Sequence, residues 1–168
     1  MTEIQRLAAL IEQAYFGESR RPDTGWHGPS ISGLLRDVTA REARERVRPS
    51  THTIWELTLH MAYWDEVCVR RLNGERLSVT TGSPEDWPAV AGESDDDWLA
   101  TLNRSRSSRQ SLVVAVRALK DDDLERTVPD WGWPFYTMIH GTLHHDLYHA
   151  GQIAFIRAAL RQRDGRSK

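Results

Sequence analysis

THTIWELTLHMAYWDEVCVRRLNGE, residues 51–75, decides the fold. Ile54, Leu57, Met61, Trp64, Cys68 and Leu72 recur at three- and four-residue steps, the spacing of one face of an α-helix. Thr51 or Thr53 can cap its start, and Asn73-Gly74 can end it. An apolar stripe of this length needs other helices to cover it.

Working outward, three more segments supply them. Ile4, Leu7, Ala8, Ile11, Ala14 and Tyr15 mark an amphipathic helix over about 2–16. A third long helix starts near Ser94, whose hydroxyl precedes Asp95, Asp96 and Asp97 as a helix N-terminus prefers. It carries Trp98, Leu102, Leu112, Val116 and Leu119 on one side. The last runs from about Pro134 to Arg161, with proline suited to the first turn. A shorter helix is predicted from Ser30 or Ile31 to about Val38, continuing into REARERV. The connectors GESRRPDTGWHGPS (17–30), LSVTTGSPEDWPAVAGES (77–94) and KDDDLERTVPDWGWP (120–134) are rich in turn formers. No useful β alternation occurs. The expectation is all-α, a four-helix bundle in one domain spanning 1–168.

Composition narrows the function. With 168 residues, 39% hydrophobic and 27% charged, the chain reads as an ordinary globular domain. A formal net charge of -2 offers no basic field for nucleic acid. Arg41, Arg44, Arg46 and Arg48 alternate with Glu42 and Glu45, as on a solvated face. The single cysteine, Cys68, excludes an intrachain disulfide and suits a reducing compartment. MTEIQRLAAL does not read as a secretory leader, and no apolar run nears the roughly 20 residues of a membrane span. A cytoplasmic protein is expected, without membrane or nucleic-acid partners.

LHHDLYHAGQI, residues 143–153, holds the chemistry. With His145 at zero on a helical wheel, His149 lies at about 40° and Gln152 at about -20°. Met138, Ile156 and Ala159 flank the same line, and Gly141 leaves space one turn earlier. Two histidines at i and i+4 can share one metal ion. His140 and His144 form a second such pair, on the face of Leu147, Ala154, Phe155 and Ala158, and spacing alone does not choose between them. On the second long helix, His60 lies at the edge of the apolar stripe, one turn before Trp64. Bundle interiors are where facing helices assemble metal sites.

HTIWELTLHMAYWDEVCVRRL followed by HHDLYHAGQIAFIRAAL resembles the DinB superfamily, the DinB-like or YfiT-like metal-dependent bundles. GSPEDWPAV and the WLATL start of the third long helix extend the likeness over nearly the whole chain. The resemblance implies an up-down-down-up four-helix bundle with long crossover connections, commonly a homodimer. It also implies a divalent metal, zinc or nickel, held near one end of the bundle by His60, His145 and His149. Better-studied relatives include mycothiol-dependent maleylpyruvate isomerase and bacillithiol-type S-transferases.

Three imidazoles leave a coordination position open, whereas structural zinc is normally closed by four protein ligands. Such a position can acidify bound water or hold a low-molecular-weight thiol as thiolate. Cys68 sits roughly 12 Å along the axis from His60 and reads as core. Asp146 makes HDLYH one residue removed from the H-E-x-x-H of zinc proteases. Being shorter and off the ligand line, it fits an imidazole-orienting or surface role better than that of a catalytic base. Arg109, on the apolar line of its helix, can snorkel to water or grip an anionic substrate group. Trp64 and Tyr148, beside ligands, can line a substrate pocket or pack the core. Trp26, Trp87, Trp131 and Trp133 fall in connectors, suited to anchoring loops or covering a pocket. The reading is a metal-dependent transferase, isomerase or hydrolase for a small molecule. The alternatives are a non-catalytic metal-binding bundle with a stress or storage role, or a structural dimer with core histidines.

Overall fold

The computed structural model describes residues 1–21, 23, 25, 28–163 and 165. Trp26 lies outside the described residues. Among the described residues the chain forms six α-helices and no β-strand: α1 (Glu3–Phe16), α2 (Ile31–Leu35), α3 (Ala40–Arg44), α4 (Ile54–Leu72), α5 (Asp95–Arg117) and α6 (Phe135–Arg163). Four are long. None is long and apolar enough to cross a membrane.

Local sequence sets the boundaries. Thr53 caps α4 by accepting from the Glu56 amide, and the Glu56 carboxylate accepts from the Thr53 amide in return. Ser94 and Asp97 do the same for α5. The helix expected over 31–38 stops at Leu35, and α3 restarts under a separate Thr39–Glu42 box. A tertiary contact accompanies the break: the Val38 carbonyl accepts from Nε1 of Trp98, at 2.7 Å.

Cross-helix pairs give the directions. Trp55 donates to Thr101 at 2.8 Å and Ser108 to Asp65 at 3.3 Å, so α4 and α5 run parallel. The Ile4 amide meets Asp121 just past α5 while Tyr15 donates to Ser105, so α1 runs against α5. His60 meets His145, whereas Cys68 lies beside Met138 and Thr142, so α6 runs against α4. The bundle is therefore up-down-down-up. Parallel neighbours cannot be joined by a tight turn, and the connection from α4 to α5 crosses the outside of the bundle.

Two apolar clusters fill the interior. One gathers Trp55, Leu57, Met61, Trp98, Ile153 and Ile156. The other gathers Ile11, Cys68, Leu112, Val116, Met138 and Ile139. Between them lies a buried polar layer of Asp65, Ser105, Ser108, Arg109 and Asp146. Arg109 Nη2 is ion-paired with Asp65, at 2.7 Å, and with Asp146. Two carboxyl groups thus bracket one guanidinium, and burial pushes the Asp65 carboxyl up to about 6 in spite of it.

Candidate metal centre

His60 comes from α4, and His145 and His149 from α6. His149 is the midpoint of α6 and His60 lies in the second turn of α4, so the histidines sit beside the polar layer on the side of the N-terminus of α4. Nε2 of His145 lies 2.9 Å from Nε2 of His60 and 3.0 Å from Nε2 of His149. All three ligand atoms fall within 4.8 Å of one another, a group able to hold a metal ion. Nitrogens bound about 2.0–2.1 Å from a shared ion sit about 3 Å apart, so the spacing fits.

The far side of each ring sets its chemistry. His60 Nδ1 donates to the Asp86 carbonyl at 2.7 Å and lies 3.1 Å from Asp86 Oδ1. His149 Nδ1 donates to Gln152 Oε1 at 2.8 Å. His145 Nδ1 faces Asp146 Oδ1 at 3.5 Å. With their protons on Nδ1, His60 and His149 turn Nε2 lone pairs into the cluster. His145, whose Nδ1 makes no hydrogen bond, adds a third when its proton sits on the Asp146 side. Lone pairs 3 Å apart repel unless a cation lies among them. Protons are a poor choice of cation here. Burial lowers the pKa of His60 and His149, and burial reinforced by the neighbouring imidazoles pushes His145 to about 3. The rings are neutral at physiological pH, the form that binds metal.

The α4–α5 connection closes one side. The Asp86 carboxylate accepts from Trp64 Nε1 and from the Gly82 amide, both at 2.7 Å, which pins the loop to α4. Trp87 stacks on His60 with centroids 3.8 Å apart and planes 4° from parallel. Its opposite face stacks on His52, at 3.6 Å.

The other candidate residues are dispersed. Trp64 lines a cavity of about 230 Å³ together with His145. Tyr148, 66% exposed, lines a separate hollow of about 470 Å³ beside Gln152. Arg109 lines neither: it is 1% exposed and committed to its two carboxylates. Asp146 is fully buried, with Arg109 behind it and His145 beside it, so it is no surface residue. His140 and His144 have rings 6.0 Å apart, away from the cluster. Cys68 is buried, and burial pushes its thiol up to about 12. Trp131 and Trp133 stay substantially exposed.

Asp86 escapes sequence reasoning because its main-chain carbonyl does the work, and any residue type carries one. Asp65 was findable: as a carboxylate between Met61 and Cys68 on a buried stripe, it calls for a cation on a facing helix, and Arg109 answers.

Comparison with known families matches residues 26–153 to the DinB superfamily. That span contains every residue of the histidine cluster and its supports. No curated protein and no solved structure gives a significant match.

Proposed function

The chain belongs to the DinB superfamily, and from that membership and the histidine geometry we propose that it is a metal-dependent enzyme acting on a small molecule. His60, His145 and His149 hold a divalent ion, zinc or nickel. The reaction class is thiol-dependent S-transfer or isomerisation, or hydrolysis. The observation that carries the reading is the convergence of three neutral imidazoles through Nε2, each with its Nδ1 turned to an oxygen.

When bound, the ion supplies an open position that acidifies water to a pKa of about 7 or stabilises a thiolate. The chain's own residues prepare that position. The Asp86 carbonyl and Gln152 fix the tautomer and angle of two rings, and Asp146 faces the third. Arg109 and Asp65 hold Asp146 in place. Trp87 covers the face of His60 and keeps water from that side. Cys68, buried and held as a thiol, takes no part.

The reading extends to one domain over 1–168 and a homodimer. Leu147 and Phe155 are exposed on one face of α6, with Gly151 between them, and a second copy would cover them. Metal analysis of the purified protein tests the centre: about one ion per chain is expected, with loss in His149→Ala. Stoichiometric metal retained by that variant overturns the ligand set. Turnover screening with low-molecular-weight thiols and model esters separates the enzyme from a non-catalytic metal-binding bundle.

A further inference from the structure

Arg71, in the last turn of α4, is 5% exposed, yet no carboxylate among the described residues pairs with it. Its Nη2 donates a long hydrogen bond, 3.4 Å, to the Leu77 carbonyl, and its Nε has no partner. The guanidinium carbon sits 4.6 Å from the centroid of the Trp131 ring, which shields it from water. Burial lowers its pKa, and what opposes the effect is the Cys68 thiol and the Tyr63 hydroxyl rather than a carboxylate. Buried arginines are almost always matched by an anion, because desolvating an unmatched charge is costly. Arg109 in the same bundle has two carboxylates; Arg71 has none.

Arg71 also faces a hollow. The cavity of about 230 Å³ is lined by Arg71 and Trp131 at one end and by His145 and Trp64 at the other, with Val67 and Met138 along its walls. Trp64 and Arg71 are seven residues apart on α4, about 10 Å along its axis. The cavity thus runs from an imidazole of the histidine cluster, past apolar and aromatic side chains, to an unmatched guanidinium. A planar fork of donors fits carboxylate and phosphate alike, and with Arg71 the one Lys or Arg among the lining residues a singly charged carboxylate is the better match.

We infer that this cavity is a binding site for a small carboxylate with a flat apolar body, its carboxylate on Arg71 and its far end beside His145. The inference rests on the proposed metal-dependent function for its meaning, because the far end is what the metal centre would act on. It stands on Arg71 and the cavity for its test.

Benzoate and benzamide, alike in shape and different in charge, serve as probes, titrated calorimetrically into metal-loaded and chelator-stripped protein. Benzoate is expected to bind at least about tenfold more tightly than benzamide in both forms, the discrimination typical of a charge-assisted pair. Arg71→Met should erase the preference, and Arg71→Lys should keep part of it, with metal content unchanged in both. Absence of benzoate binding, equal affinity for the two probes, or a preference that survives Arg71→Met overturns the inference. A preference that vanishes with the metal and ignores Arg71 assigns the carboxylate to the ion and overturns it too. Failure of the metal reading looks different: no ion in the wild-type protein, with benzoate still bound through Arg71.

Discussion

Nδ1 of His60, on α4, donates to the main-chain carbonyl of Asp86, in the connection to α5, at 2.7 Å. A loop residue thereby sets the angle of a ring on a helix, and the loop is held by that residue's own carboxylate on Trp64 and Gly82.

Asp86→Ala keeps the carbonyl but releases the loop that aims it. Metal affinity should fall by about 10–100-fold, as for other losses of support behind a ligand. Competition titration against a chromogenic chelator measures this. Unchanged affinity would mean the loop is held by other contacts.

Arg109→Met leaves Asp65 and Asp146 buried without their cation. Destabilisation of about 3–5 kcal/mol at neutral pH is expected, the usual result of breaking a buried ion pair from one side. Urea denaturation gives the value. Burial already raises the Asp65 carboxyl to about 6 in spite of Arg109, so part of the loss should return on acidification. The variant should then be relatively more stable at pH 5 than at pH 7.

His145 titrates at about 3 in the folded chain against an ordinary 6.5. A depressed pKa means that the unfolded state binds the proton first, so the contribution is whole above 6.5 and fades as pH falls toward 3. In metal-free protein, the stability difference between wild type and His145→Leu should shift in favour of wild type as pH rises from 4 to 6.5, then level off. A flat difference across that range would contradict the burial described for this ring.

Cys68 is buried, and its thiol is held at about 12. Iodoacetamide at pH 8 should leave the native protein unmodified and label it fully in denaturant. Mass spectrometry reads the outcome, and rapid native labelling would show that burial does not hold the thiol protonated.

Much of the architecture could be read from residue order. Thr53 with Glu56 and Ser94 with Asp97 are local caps, and they place the starts of α4 and α5 without reference to the rest of the chain. Met138, His145, His149, Gln152 and Ile156 share a line on α6 for the same local reason. What stayed hidden depends on contacts far apart in sequence. The break after Leu35 coincides with a contact to Trp98. Arg109 lies on an apolar line whether it grips a ligand or a buried acid, and only the approach of Asp65 and Asp146 from two other helices decides. The state of Arg71 turns on where the loop before α6 lays Trp131.

Because α4 and α5 point the same way, the strand of chain between them must travel back roughly 30 Å, the length of a helix. The overpass is compulsory for the topology, and here it doubles as the wall of the histidine cluster. Severing it by proteolysis would spare every helix while freeing the arch from its tether. The bundle would keep its shape, and the imidazoles would lose their roof.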